Sequence, residues 1–270
     1  MEIKEVSIPY KKSNADFHLY CLGDIHAGTI HCVEKHIIRK VNEIKQSPNT
    51  YWIGMGDYAE WITPSDKRFD PAQKSIADWV EPDNIAHCEV QWLTDLLSPI
   101  KDKCIGLLYG NHENSIRVWN HDNVQKNLCD ALGVDNLGYS AFVKLRFYRE
   151  KSNDSHVITG AFTHGSSGAI TEGAKLMALM RWMKAMDADI YGYAHIHDYI
   201  PKSLSRITSN DGKIKSKVSI GATTGSWFRT YTKGIIASYG EQKTYPPCEI
   251  GCAMFLINPN TGSLDVQFSR

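Results

Sequence analysis

The sequence predicts an α/β fold, and three observations carry that prediction. Short apolar runs alternate with segments of helical periodicity through the first half of the chain. Each run stops at Gly-Asp or Gly-Asn, the residue types that end strands and open turns. From Tyr139 onward, strand-like stretches and turns dominate.

The elements follow in order. "FHLYCLGD" and "TYWIGMGD" are strand-length runs ending at Asp24 and Asp57, and "CIGLLYGN" ends in the same way at Asn111. Between the first two, Val33, Ile37, Ile38, Val41 and Ile44 recur at helical spacing; between the second and third, Ile85, Val90, Leu93, Leu96 and Leu97 do so. The pattern is βαβαβ, which gathers polar residues at the C-terminal ends of the strands, where open α/β sheets bind ligands. "SAFVKLRFYRE" and "HVITGAFTHG" read as successive antiparallel strands. "TEGAKLMALMRWMKAM" reads as a helix with Leu176, Leu179, Met180 and Met183 on one side, the methionines as core filler. A hairpin is expected around Asn210-Asp211-Gly212, and a second over "FLINPNTGSLDVQF".

Composition bounds the rest. The chain has 270 residues, 42% of them apolar, which is ample for a sizeable core. Lys plus Arg equals Asp plus Glu at 30 each, so no overall field draws the protein to nucleic acid or membrane, although local patches still can. The first residues alternate charged and apolar side chains with no apolar core of a signal peptide, and no run is long enough to span a bilayer; a cytoplasmic location is expected. Seven cysteines with no C-x-x-C pair suggest reduced thiols. No repeat and no Pro/Ser-rich linker divides the chain, so one domain over 1–270 is expected, its part beyond about 198 rich in strand and loop.

Asp24 and His26, Asp57, Asn111 and His112, His164, and His195 and His197 all follow strand-like runs. Any one of them alone reads as a turn residue or a surface histidine. Five such segments together are hard to attribute to turns. In Asp24-x-His26 and His195-x-His197, a spacing of two sends both side chains to one side of an extended chain. Carboxylate, imidazole and amide donors without thiolate suit Mn, Fe or Zn, with Ni or Co also compatible. Seven donors exceed what one ion needs, and Asp57 could bridge two ions.

The ordered set Asp-x-His, Gly-Asp-x-x-Glu, Gly-Asn-His-Glu, His-Gly and x-His-x-His resembles the calcineurin-like metallophosphoesterase superfamily, from Gly23 to His197. The resemblance implies a four-layer α/β/β/α sandwich of two mixed sheets flanked by helices. It implies two divalent ions, manganese foremost: Asp24, His26 and His197 would hold one, Asn111, His164 and His195 the other, with Asp57 between. His112 would act on substrate as proton donor or charge stabiliser, oriented by Glu113, while a hydroxide between the ions attacks phosphorus. Two positions depart from the family pattern. Glu60 stands where Asp is common, and Ala194 where Gly is common, which raises the prospect of altered geometry there.

The substrate is less legible. Ser166 follows His164 in a small loop that serves equally as rim or plain connection. Arg117 lies four residues after Glu113, which favours a surface pair over a phosphate contact. Lys202, Arg206, Lys213, Lys215 and Lys217 make a basic hairpin, commonly a solvated edge, that could track a phosphodiester backbone. Trp227, Phe228, Arg229, Tyr231, Tyr239 and Tyr245 lie in two loops rich in aromatics, Gly and Pro, which either pack on the sheet or stack a nucleobase. Both stretches look like those of phage-associated members. A phosphodiesterase acting on nucleotides or nucleic acid is the leading expectation. A phosphomonoesterase on a phosphoprotein or metabolite is the alternative, and a non-catalytic scaffold is a third.

Overall fold

Strands and helices alternate from β1 (Glu2–Tyr10) and β2 (Phe17–Leu22) through α1 (Glu34–Gln46), β3 (Thr50–Gly54), α2 (Ile85–Leu97) and β4 (Cys104–Leu107). Next come α3 (Asn111–Trp119), α4 (Val124–Leu132), β5 (Ser140–Arg149), β6 (Ser155–Thr163), α5 (Glu172–Ala185) and β7 (Ile190–Tyr193). The chain closes with β8 (Pro201–Asn210), β9 (Lys213–Thr223), β10 (Cys252–Asn258) and β11 (Ser263–Ser269). The structure, a computed structural model, describes residues 1–270 apart from 13–14, 65, 67–68, 70–74, 154 and 211.

Two mixed sheets result. One has the order β1-β5-β6-β7-β9-β8, the other β11-β10-β2-β3-β4. The expected βαβαβ unit is β2-α1-β3-α2-β4, with its three strands parallel. The pairs β5–β6, β8–β9 and β10–β11 are antiparallel, as their sequences predict. Asp211, in the expected turn of the β8–β9 hairpin, lies outside the described residues. β1 is not among the expected strands, although its residues alternate; it pairs in parallel with distant β5, a contact that only tertiary structure creates.

Burial explains the layers. Leu19, Cys21, Ile53, Val143, Leu145, Phe162 and Phe255 fill the space between the sheets. Tyr20, Leu22 and Trp52, on the opposite side of their strands, pack against Ile37, Val41 and Ile44 of α1, Leu93 and Leu97 of α2 and Leu128 of α4. On the far side, Ala178, Leu179 and Met183 of α5 cover Ala161, Tyr191 and Tyr193. The architecture is therefore α/β/β/α. Ile38, expected inside, is exposed and Leu96 only partly buried, whereas Lys40 and Glu89 are buried on the inner faces of their helices. All seven cysteines are free thiols. Among the described residues, no helix is long and apolar enough to cross a membrane.

The consequence for function lies at the strand ends. β2, β3 and β4 run parallel in one sheet, and β6 and β7 run parallel in the other. All five motif segments leave the C-terminal ends of these strands, on one edge of the sandwich.

Candidate metal centre

The backbone turns sharply just past each strand. Asp24, His26, Asp57, His195 and His197 all have left-handed φ, between 47° and 71°. Non-glycine residues adopt that region at a cost, and such strain concentrates at functional sites. Ala194, by contrast, is not among the positive-φ residues, and its N–H continues the ladder to Thr163 O at 3.2 Å. Ala194 therefore carries no left-handed strain, because that turn falls on His195.

Two glycines let these turns approach one another. A Cβ on Gly110 would stand 2.2 Å from Asp57 Oδ1 and 2.6 Å from His164 Cε1. A Cβ on Gly56, itself at φ +89°, would meet the Gly110 nitrogen at 2.5 Å. Only backbone without a side chain fits in that crevice.

Among the described residues, the side chains able to hold a metal gather in three groups: Asp24 with His26 and His197, Asp57 with His164 and His195, and, sharing His26 with the first, His26 with Glu60 and His112. In the first, the Nε2 atoms of His26 and His197 are 2.9 Å apart, and His197 Nε2 lies 3.4 Å from Asp24 Oδ1. Two imidazole nitrogens at that separation need a proton or a cation between them. In the second, His164 Nε2 sits 3.3 Å from Asp57 Oδ2 and 3.0 Å from Asn111 Oδ1. Asn111, expected as a ligand, therefore joins this group through its amide oxygen while remaining exposed.

Outer partners settle which ring nitrogens face inward. His164 Nδ1–H donates to Met55 O at 2.8 Å, and His112 Nδ1–H donates to Glu60 O at 2.9 Å. This is the arrangement that fixes the tautomer of metal-binding histidines. Three buried atoms inside the cluster, Asp24 Oδ1, His26 Nδ1 and His195 Nδ1, have no aligned hydrogen-bond partner, although His26 Nδ1 faces Glu60 Oε1 at 2.9 Å. Buried polar atoms are normally paired, so Asp24 Oδ1 and His195 Nδ1 are suited to a cation. The donor set thus fits divalent metal.

Electrostatics agree. Burial works to raise the Asp57 carboxyl, but His164 and His112 outweigh it and hold it well below the usual carboxylate range. Burial opposes the charged form of His164 too, yet Asp57 and Asp24 raise it above an ordinary histidine. Burial and then His164 lower His195 to about 4, leaving its imidazole neutral at physiological pH. Strongly shifted groups of opposite sense crowded in one place are characteristic of functional sites.

His112 completes the site. It is 9% exposed, its N–H donates to Asp57 Oδ1 at 2.9 Å, and its Nε2 lies 3.9 Å from Asp57 Oδ2. The expectation that Glu113 orients it is corrected. Both Glu113 oxygens are engaged elsewhere, accepting from the N–H groups of Asp57, Tyr58 and Gly110 at 2.8–2.9 Å and from the Trp61 indole at 3.0 Å. Glu113 ties α3 to the turn after β3; it is Glu60 that reaches His112.

The expected substrate contacts divide. Trp227 is fully buried among the helix-side core residues, so its place is packing, which corrects the expectation of a substrate contact. Phe228 takes the position instead, its ring 5.4 Å from that of His26 and 6.1 Å from that of His197. The alternation of a strand-like segment could have separated the inward Trp from its outward neighbour. Ser166, Arg229 and Tyr231 are exposed. Tyr231 donates to Tyr245 O at 2.7 Å. Arg117 donates to Asn114 Oδ1 at 2.8 Å rather than pairing with buried Glu113. In the basic hairpin, Lys217 pairs with Asp189 at 3.0 Å and Arg206 donates to Met183 O at 2.5 Å, while Lys213 and Lys215 are exposed and Lys202 half-buried.

No family model matches the chain, and no curated protein sequence is similar to it. Solved structures give low-identity likenesses along most of its length. One is a metallophosphoesterase from Sphaerobacter thermophilus, 11% identical with a TM-score of 0.39, covering 94% of this chain and 89% of that one. A metallophosphoesterase thus stands among its structural neighbours. Another is a conserved Streptococcus pneumoniae protein described as a predicted phosphoesterase, 11% identical, TM-score 0.36, covering 94% and 99%. A third is Vacuolar Protein Sorting 29 from Cryptosporidium parvum, 12% identical, TM-score 0.36, covering 94% and 97%. At such identities and scores the site stands on its own residues.

Proposed function

We propose that the chain is a dimetal-dependent phosphoesterase, acting on nucleotide or nucleic-acid phosphodiesters within one domain. The observation that carries this reading is the pair of three-residue donor groups around Asp24 and Asp57, each with an unpartnered buried atom, with His112 beside them and outside both.

Asp24, His26 and His197 would hold one ion, and Asn111, His164 and His195 the other, with Asp57 between the groups. Bound there, two divalent ions supply an activated water and polarise the phosphoryl oxygens. The protein's own part is positional. Asp57, fixed through His112 N–H, keeps the two groups in register. His112 presents Nε2, since its Nδ1–H is engaged by Glu60 O; as the imidazolium, with both nitrogens protonated, it would donate from Nε2 to a phosphoryl or leaving oxygen as charge develops. Phe228 supports the diester reading, because its ring offers a stacking face beside the cluster and every nucleobase has a π-face to meet it.

The test compares kcat/KM for bis-p-nitrophenyl phosphate and p-nitrophenyl phosphate in saturating manganese. Preference for the diester is expected. Preference for the monoester would replace this substrate class with a phosphomonoester. Turnover of neither, nor of any nucleotide diester, would favour the scaffold.

A further inference from the structure

Glu60 is one of the two positions where this chain departs from the pattern its motifs otherwise follow, and its longer side chain has a destination. Its Oε1 lies 2.9 Å from His26 Nδ1, with the carboxylate 14% exposed and His26 4%. The contact has hydrogen-bond length without full alignment. Its other oxygen stands 3.8 Å from His112 Nδ1, the nitrogen already engaged by the Glu60 backbone carbonyl. The rings of His26 and His112 meet edge to face at 4.9 Å. One residue therefore backs both histidines by different groups: its side chain faces His26, and its main chain holds His112.

The main chain is itself anchored. Glu60 N–H donates to Ala27 O at 2.9 Å, one residue from His26, and Ala27 bridges in parallel to Ala59. The carboxylate is thus carried on a segment fixed to the His26 turn.

Resting on the reading of the site as a two-ion centre, we infer that Glu60 is a positioning residue for His26: its carboxylate holds the imidazole as the Nδ1–H tautomer and so turns Nε2 toward the ion shared with Asp24 and His197. A carboxylate behind a metal-binding imidazole fixes ring orientation and raises ligand basicity, and removing such a partner costs roughly 10–100-fold in metal affinity. The effect belongs to one ion only. His164, in the other group, is backed by the Met55 carbonyl, which no change at position 60 touches.

The experiment is a manganese titration of the metal-free protein by calorimetry, in the wild type, Glu60→Gln and Glu60→Asp. Two binding steps are expected in the wild type. In Glu60→Gln, one step weakens roughly 10–100-fold while the other stays. Glu60→Asp keeps the charge but withdraws it by one methylene, so the same single-step loss is expected; full rescue by Asp would show that charge alone suffices and would overturn positioning by reach. Imidazole nitrogen spectra of the zinc-loaded proteins give a second readout, with His26 held as Nδ1–H in the wild type and not in Glu60→Gln. A wild type with two steps and a Glu60→Gln variant indistinguishable from it, or equally weakened at both steps, overturns the assignment alone. A wild type that binds no divalent ion overturns the two-ion reading and the assignment together.

Discussion

The floor and the rim of the candidate centre are built differently. On the floor, Asp57, Glu113 and His164 are at most 2% exposed, and almost every polar atom has a protein partner. On the rim, Asn111 is exposed, the His197 side chain is 25% exposed, and His195 Nδ1 has no partner. The floor is completed by folding, whereas the rim holds atoms that only a ligand can satisfy. Changes on the floor should therefore appear in stability, and changes on the rim in binding and turnover.

His112 sits on the boundary and gives the largest expected effect. His112→Ala should lower kcat by roughly 10²–10⁴-fold, about 3–5 kcal/mol of transition-state stabilisation, with metal content intact because His112 belongs to neither three-residue group formed around Asp24 or Asp57. Wild-type turnover in this variant, on an ester with a poor leaving group, would remove His112 from the chemistry. Loss of metal along with turnover would move it to the floor.

Glu113 tests the floor directly. Glu113→Ala strands four donors, three of them main-chain N–H groups in the turns that carry Gly110, Asp57 and Tyr58. Each unsatisfied buried donor costs about 1–3 kcal/mol, and partial relaxation brings the sum to about 3–5 kcal/mol. The measurement is a urea unfolding curve of the metal-free protein. A cost below 1 kcal/mol in that curve would mean that water replaces the carboxylate and that the floor is not closed.

The titration of the centre's histidines has a definite sign. His164 is raised to about 9 from an ordinary 6.5, and His197 is raised as well, because the Asp57 and Asp24 carboxylates outweigh burial. Groups raised on folding contribute fully below the unfolded value and lose that contribution as pH climbs through the folded one. Chelator-treated protein should therefore lose stability steadily from pH 6.5 to 9. His195, lowered to about 4, acts on the acid side, where its contribution disappears as pH falls from 6.5. Urea midpoints at pH 6.5, 7.5 and 8.5 check the alkaline limb, and a rising series would contradict it.

The same contrast explains what the sequence could reveal. The donors were legible because each follows an apolar run and ends at a glycine-marked turn, a local signal repeated five times. The βαβαβ half was legible through its helical and strand periods. What stayed hidden depends on contacts between distant segments. β1 pairs with β5 across more than a hundred residues. Glu113, expected to orient His112, closes the floor through main-chain donors that no pattern announces. Trp227 and Phe228 are adjacent, and composition alone does not say which turns inward.

The smallest effects belong to the outer rim, where sequence suggested substrate contacts. Arg117 and Tyr231 are exposed and already bonded locally, to Asn114 and to the Tyr245 carbonyl. Replacing either by Ala should change stability by no more than about 0.5 kcal/mol, since exposed side chains away from caps and networks rarely matter more. Turnover of a small diester should also stay near wild type, because neither side chain is bonded to a donor residue. A selective rise in KM for a longer nucleic-acid substrate in Tyr231→Ala would extend the rim outward from Phe228. The same rise in Arg117→Ala would instead place a phosphate contact on the exposed face of α3.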